Sequence, residues 1–349
     1  MHHRNDTLVA GIQPTGIPHI GNYLGMLRGL GQRCSEVGYS AVFVADIHAT
    51  TAQNYNPVHQ RDKNLAALKS LLACGIPAKN LFVQSDYLEH FSTGLIIQHL
   101  SKLGRLERMS QFRTKSDERG NSNNKSIPLG LLTYPCLMAA DIILHASLTG
   151  KTFVPSGPDQ FQHLVFASEV AEMLNKMAVA IGDKPFIGEI CKAASGPKIA
   201  ALKDTHRKMS KSSPADAVFL DDDRQTYTKK YKSAVTGMES AVDQDFSANP
   251  LGVRNLVTIY AGFKDMQVTD AAVSLSGINM SSLKEAVISA HAEVCDDIAR
   301  RMAEISDDTL VKLLHEKAAE NGEMLRRVKV EHGFDYIRRI AGLGTNIFK

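Results

Sequence analysis

Leu8-Val9-Ala10-Gly11-Ile12 is an apolar run, and Gln13-Pro14-Thr15-Gly16 breaks it before Gly21 and Asn22 open a helical pattern at Leu24, Leu27 and Leu30. This reads as strand, loop, helix. The same grammar recurs: Ala41-Val42-Phe43-Val44-Ala45 ends in Asp46-Ile47-His48, helical spacing follows at Leu65, Leu68 and Leu72, and Leu81-Phe82-Val83 is a third strand-like run. Strands alternating with helices imply an α/β fold, a Rossmann-like doubly wound parallel sheet with right-handed crossovers. Ligands of such sheets gather at the carboxyl ends of the strands, so Gln13 to Gly21 and Asp46 to His48 are expected on the functional rim.

Beyond about residue 220 the strand-like runs stop. Helical spacing takes over at Leu283, Val287, Val294, Ile298 and Met302 and then at Leu310, Leu314, Leu325 and Val328. Ser282 with Glu285 reads as a capping box for the first of these helices. Thr114 to Ser126, polar and carrying Gly120 and three Asn, reads as a mobile loop between helices. The expected organisation is a catalytic domain over 1–219, with an inserted helical segment at about 105–175, and a helical domain over 220–349 whose last helix returns to the catalytic domain.

A chain of 349 residues, 44% hydrophobic and 22% charged, has enough apolar surface for one large core and a second smaller one. The net charge of +3 is compatible with a nucleic-acid partner without requiring one. Five widely spaced cysteines include no CxxC pair, so neither zinc nor an iron–sulfur cluster is expected, and free thiols in a reducing compartment are. No run of about 18 apolar residues stands in the chain, and the opening leads straight into a strand, so neither a membrane span nor a cleaved targeting peptide is expected. The expected location is the cytoplasm.

Two motifs carry chemistry. Lys208-Met209-Ser210-Lys211-Ser212 sets two ammonium groups three positions apart in a stretch that Ser-Ser-Pro keeps loop-like, and such a loop can fold over a triphosphate. Alone, it reads equally as a solvated basic turn. Pro18-His19-Ile20-Gly21-Asn22 stands at a helix start, where unpaired N–H groups and the dipole favour phosphate and Gly21 would let a flat adenine approach. His19 alone could be an exposed loop histidine; the two motifs together are far more specific.

HIGN near the amino terminus with KMSKS closing a parallel-sheet domain resembles the class I aminoacyl-tRNA synthetases. Gly11-Ile12-Gln13-Pro14-Thr15-Gly16, Gly21-Asn22-Tyr23-Leu24-Gly25, Leu132-Thr133-Tyr134-Pro135, Leu137-Met138-Ala139-Ala140-Asp141-Ile142 and Val154-Pro155-Ser156-Gly157-Pro158-Asp159-Gln160 resemble the tryptophanyl-tRNA synthetases of bacterial and mitochondrial type, nearly end to end. The resemblance implies an ATP-dependent tryptophan–tRNA ligase with a class I catalytic domain, a helical anticodon-binding domain, Mg²⁺ accompanying ATP, tRNA(Trp) as partner and a homodimer. Three other readings stand beside it: a tyrosyl enzyme, a non-charging paralogue that binds tryptophan or tRNA as a regulator, and a nucleotidyltransferase of the pantothenate-ligase kind. The last has no helical tRNA module.

The resemblance also assigns roles. Asp141 is the specificity residue, and the apolar stretch around it makes an unpaired carboxylate costly while a buried indole N–H donor would satisfy one. Tyr134, Met138, His48, Val9 and Val154 line the slot, each of which also reads as ordinary core, and Gln160 and Gln13 hold the amino and carboxylate groups. ATP falls to Gln13, His19, Gly21, Asn22, Asp159, Lys208, Met209, Ser210, Lys211 and Ser212, with Lys115 adding charge; Gln13, Lys115, Lys208 and Lys211 are the catalytic set. Mg²⁺ is expected on phosphate oxygens and water, with no protein metal cage. Rejection of substrates lacking the N–H removes the need for a hydrolytic editing domain. Candidates for tRNA contact are Arg224, Lys229, Lys230 and Lys232, with Arg326, Arg327, Arg338 and Arg339, each of which also reads as a solvated helix face. Two departures stand out: His19-Ile20-Gly21-Asn22 ends in Asn where the wider class has His, and Ser156 and Pro158 replace other residues of many relatives, which leaves the shape of the pocket wall open.

Overall fold

The computed structural model describes residues 3–51, 55–118, 128–157, 160–194, 196–320 and 334–343, the side chains of 3, 4, 115–118 and 318–320 excepted. Asp159, Pro158, Arg326, Arg327, Leu325, Val328 and the Lys115 side chain therefore lie outside the described residues.

Five parallel strands form one sheet in the order β3-β2-β1-β4-β5. They are β1 (His3–Ile12), β2 (Val37–Val44), β3 (Leu81–Val83), β4 (Lys151–Pro155) and β5 (Glu189–Ala193). The three strands legible in the apolar runs pair in register, Val9 opposite Ala41 and Phe43 opposite Phe82. β4 adds to the free side of β1 and β5 to β4. Because β2 and β4 flank β1 on opposite sides, the strand order reverses at β1 and opens a crevice between the carboxyl ends of β1 and β4. β4 also corrects one expectation: the segment at about 105–175 is not wholly helical, since Thr152 and Val154 bury their side chains in the central sheet.

Helices cover both faces. After β1 the chain winds through α1 (Ile20–Asn22), a π turn (Tyr23–Leu27) and α2 (Arg28–Glu36). α3 (Asp46–Ala49) and α4 (Gln60–Ala73) lead to β3; α5 (Leu88–Leu100), α6 (Leu103–Glu107), α7 (Ser110–Glu118) and α8 (Leu129–Ile143) lie between β3 and β4; α9 (Phe161–Ala180) lies between β4 and β5. The loop expected from Thr114 is a helix as far as Glu118: Phe112 is buried against the α5–α8 layer and anchors a turn whose own composition is polar.

The carboxyl-terminal third consists of α10 (Arg224–Lys232), α11 (Leu251–Lys264), α12 (Val268–Ser274), α13 (Met280–Glu304), α14 (Asp307–Glu320) and α15 (Phe334–Ile340). The cap of α13 differs from the expected box: Asn279 accepts from the N–H of Ser282 at 2.9 Å, so the helix begins one turn earlier, and Glu285 pairs with Lys232 instead.

Packing does not follow the boundary at 219/220. Tyr227, Tyr231, Leu256 and Leu283 share one core with Leu8, Leu27 and Leu68 on one sheet face. The second core lies on the other face, where Ile97, Ile143 and Leu174 pack together with Ile337 and Ile340 of α15. Tyr227 and Tyr231 are both fully buried, each worth on the order of 2–3 kcal/mol of hydrophobic stabilisation, so α10 is fastened to the catalytic core and not to a hinge of its own.

Candidate active site

A cavity of about 720 Å³ occupies the crevice between β1 and β4. Val9, Gly11 and Gln13 come from β1 and its loop, Val154 and Ser156 from β4 and its end, His48 from α3 just after β2, and Tyr134, Met138 and Asp141 from α8. Gln160 stands at the start of α9 and also lines it. All seven residues assigned to the amino-acid slot, with Gln13, therefore meet around one space. Positions 134, 138 and 141 converge because they are three and four apart on one helix. Gly11 keeps β1 open at this point: a Cβ there would stand 2.8 Å from the Phe43 ring.

Asp141 is 3% exposed and is the polar centre of the wall. Its Oδ2 accepts from His48 Nε2 at 2.8 Å and its Oδ1 from His90 Nδ1 at 2.7 Å. Gln84 Nε2 reaches both oxygens, at 2.8 and 2.9 Å. Burial alone pushes the Asp141 carboxyl up, but the hydrogen bonds from His48 and His90 outweigh it and hold the group well below the usual carboxylate range. The carboxylate is thus ionised and acceptor-only at neutral pH. An uncompensated buried charge costs several kcal/mol, and the bonds from these three side chains are what offset it.

Tyr134 is held at its hydroxyl, which donates to Gln111 Oε1 at 2.7 Å and lies 2.6 Å from His163 Nε2. Its ring is edge-on to His48, with centroids 6.2 Å apart. Ser156 is different: its hydroxyl is buried with no hydrogen-bond partner among the described residues.

The second motif lies beside the first loop. A short antiparallel bridge pairs Ala200 with Lys208, and Met209 donates its N–H to Ile199 at 3.0 Å, so the basic segment leaves a hairpin. Lys211 Nζ then donates to the carbonyl of Gly16 at 2.6 Å. Lys208 and Lys211 stand close enough to His19 to lower its affinity for a proton: burial first, then these two charges, push the His19 ring down to about 4.

Met209, grouped with the ATP residues, is 2% exposed and packs in the core, where it anchors the loop between the two lysines. The helix start at His19 is less open than expected, since Ile20 donates its N–H to Val218 and Asn22 donates its N–H to His19. His19 and Asn22 cap each other, the His19 N–H donating to Asn22 Oδ1 at 3.1 Å. Gly21 gives that cap room: a Cβ would press to 3.0 Å on the His19 ring. Ser210 and Ser212 share a hydrogen bond at 2.9 Å, and Lys208 and Ser212 remain exposed.

Among the candidates for tRNA contact, Arg224, Lys229 and Lys232 form one exposed basic face of α10. Lys230 faces the other way: it pairs with Asp222 at 2.6 Å over the Phe219 ring. Arg338 pairs with Asp335 at 3.2 Å, and Arg339 pairs with Asp183 beside the Tyr336 ring.

Gln84 and His90 were not legible as site residues. Gln84 follows β3 directly, at the same carboxyl-end position that singled out Gln13 and His48, and that rule extended to the third strand would have found it. His90 gives no local signal, because it acts only through α8 packed against α5.

A parallel sheet whose order reverses beside a buried ligand crevice, with a basic loop closing on the first strand's loop, defines a nucleotide-dependent enzyme of the doubly wound class. The chain belongs to the family of class I tRNA synthetases for tryptophan and tyrosine (W and Y), whose model matches residues 1–322. It is 34% identical to the tryptophan–tRNA ligase of Mycoplasma genitalium over 324 residues, covering 88% of this chain and 90% of that one. It is likewise 34% identical to the enzyme of that name from Bacillus anthracis over 343 residues, covering 95% and 99%. The crystal structure of tryptophanyl-tRNA synthetase from Mycoplasma pneumoniae superposes with a TM-score of 0.77 at 30% identity, covering 99% of each chain.

Proposed function

We propose that this chain is a tryptophan–tRNA ligase, which activates L-tryptophan with ATP and transfers it to the 3′-terminal adenosine of tRNA(Trp). The observation that carries the reading is Asp141, an ionised carboxylate on the wall of a cavity that it shares with Val9, Met138 and Val154. Indole presents a flat apolar body and one N–H donor, and Val9, Val154 and Met138 with Asp141 complement both features. A substrate without that donor would leave the carboxylate short of a partner it was built to meet.

Gln13 and Gln160 at the cavity mouth are suited to the amino and carboxylate groups of the amino acid. The substrate carboxylate attacks the α-phosphorus of ATP in line, the bond to the bridging oxygen breaks, and pyrophosphate leaves. Lys208 and Lys211 meet the charge that develops on the departing phosphates, while His19, Gly21 and Asn22 shape the nucleotide side, with Asp159 for the ribose and Lys115 as a further cation. No protein nucleophile takes part, so positioning and electrostatic stabilisation supply the acceleration. Mg²⁺ enters as part of the Mg–ATP substrate; Gln13, His19, Asn22, Lys208 and Lys211 are cationic or neutral and suit phosphate oxygens, not a metal ion. In the second step a ribose hydroxyl of the terminal adenosine, the 2′-hydroxyl by family likeness, attacks the adenylate carbonyl and AMP leaves.

Two features support the wider reading. The exposed face of α10 with Arg224, Lys229 and Lys232 suits tRNA phosphates. Leu88, Phe91 and Leu95 of α5 and Leu129 of α8 are exposed, and Phe91 and Leu95 border a shallow cavity with Gly130 and Leu137, an apolar surface suited to a second copy of the chain. The enzyme would work as a homodimer in the cytoplasm, where tRNA is charged. No helix among the described residues is long and apolar enough to cross a membrane.

The test is pyrophosphate exchange into ATP with tryptophan, tyrosine or no amino acid, repeated with Asp141→Ala. Exchange with tryptophan alone, lost or broadened in the variant, is the expected result. Exchange with tyrosine alone would mark a tyrosyl enzyme, and no exchange at all a regulator.

A further inference from the structure

The two oxygens of Asp141 are held from opposite sides. His48, on Oδ2, lines the cavity. His90, on Oδ1, is fully buried behind it. Behind His90 stands a second fully buried imidazole, His145, with the two Nε2 atoms 3.4 Å apart. His145 Nδ1 lies 2.9 Å from the hydroxyl of Tyr39, itself only 6% exposed. The chain thus draws on β2 for Tyr39, α5 for His90, α8 for Asp141 and the turn after α8 for His145. Phe82 packs against both imidazoles, at 5.9 and 5.5 Å between centroids, and Phe43 against His90 at 5.7 Å, so neither ring is free to turn.

With both imidazoles neutral, proton placement along this chain follows by elimination. Ionised Asp141 only accepts, so His90 Nδ1 carries the hydrogen. In a neutral imidazole the other nitrogen must then accept, so His145 Nε2 donates to His90 Nε2. That leaves His145 Nδ1 as an acceptor, and the Tyr39 hydroxyl donates to it. Each contact has one donor and one acceptor, and the bonds run in one direction from Tyr39 to Asp141.

We propose that Tyr39 and His145 are positioning residues for amino-acid selection: by fixing the tautomer of His90 they secure its bond to Oδ1 and so hold the Asp141 carboxylate in the orientation in which it meets the indole N–H. The second group in a chain of this kind sets which nitrogen of the first donates, as outer partners do for metal-bound histidines. The proposal rests on the reading that the cavity takes tryptophan, and it assigns these two residues no contact with substrate.

The experiment compares pyrophosphate exchange with L-tryptophan and with 3-(benzothiophen-3-yl)alanine, which has the same shape but sulfur in place of N–H. The proteins are the parent chain, Asp141→Asn, Tyr39→Phe and His145→Leu, with thermal melts to verify folding. Tyr39→Phe, which removes one hydroxyl, is the variant that keeps the test open should His145→Leu fail to fold. The expected result is that Tyr39→Phe lowers the preference for tryptophan over the isostere about 5-fold, the worth of one hydrogen bond, through a raised KM for tryptophan with kcat and the isostere's constants unchanged. An equal loss for both substrates would reduce Tyr39 to a packing role and overturn the proposal. A preference that falls in Asp141→Asn but not in Tyr39→Phe would overturn it and leave the tryptophan reading standing. A preference unmoved in Asp141→Asn would overturn the reading of Asp141 itself.

Discussion

Lys211 donates its ammonium to the backbone carbonyl of Gly16 at 2.6 Å, and so ties the basic loop to the loop that follows the first strand. The contact depends on Gly16, whose φ of 93° turns its carbonyl in a conformation that side-chain-bearing residues rarely adopt. Burial pushes the Lys211 ammonium down to about 8. In the free enzyme its charge is present below that value and lost as pH rises through it. The expected consequence is a kcat/KM for ATP that falls above about pH 8. Lys211→Arg, with a guanidinium that stays charged, flattens that limb, and Lys211→Met lowers kcat/KM about 100-fold at pH 7. Pyrophosphate exchange from pH 6.5 to 9.5 measures all three.

His291 accounts for part of the acid sensitivity. It is 1% exposed, lies 3.0 Å from the Tyr231 hydroxyl and packs on the Tyr227 ring, and burial pushes it down to about 3. His19 is pushed the same way, to about 4. Both rings are neutral in the folded protein while the unfolded chain takes up protons below about 6.5, so their stability contribution is complete above that pH and is lost as pH falls toward the folded values. Urea unfolding should show a flat stability from pH 7 to 8 and a decline from 6.5 to 4. His291→Phe should reduce that slope by about 1.4 kcal/mol per pH unit, one proton's worth.

Ser156 buries a hydroxyl without a partner among the described residues, on the wall of the cavity. Ser156→Val removes an unsatisfied polar group and fills space, and is expected to stabilise the fold by about 1 kcal/mol. The same change should alter the affinity of an indole-like inhibitor, since the wall loses its polar spot. Thermal unfolding and inhibitor titration read the two effects separately, and an unchanged inhibition constant would remove Ser156 from the binding wall.

Leu95 is 53% exposed and Phe91 43% on the outer face of α5. Leu95→Glu would set a charge in the middle of the surface proposed to meet a second copy. Size-exclusion chromatography with light scattering should give a dimer for the parent chain and a monomer for the variant, with the melting temperature of the fold within a few degrees. A parent chain that elutes as a monomer at micromolar concentration would refute the dimer.

The doubly wound class and the rim position of Gln13 and His48 were legible from apolar runs and strand ends, whereas the cluster at Tyr134, Met138 and Asp141 was legible through the resemblance of its segments to the tryptophanyl enzymes. Asp141 could be recognised as unusual from its apolar neighbours alone, since an ionised side chain there has to be paired. The partners that pair it were not legible: Gln84, His90, His145 and Tyr39 lie 51 to 106 positions from one another or from Asp141 along the contacts they make. Met209 and Gly21 make the same point in reverse. Both stand in motifs that suggest ligand contact, and the fold gives each a packing role that the motif does not announce: one packs in the core and the other spares the His19 ring, because burial and steric clearance depend on what the fold brings alongside. The sequence by itself determined that the first three apolar runs become strands, that helices alternate with them and that helices fill the last third, which are local preferences of a few residues. Only the tertiary structure decided which groups share a proton, which lysine is free and which core a helix joins, because those depend on solvent exclusion and on distances between residues far apart in the chain.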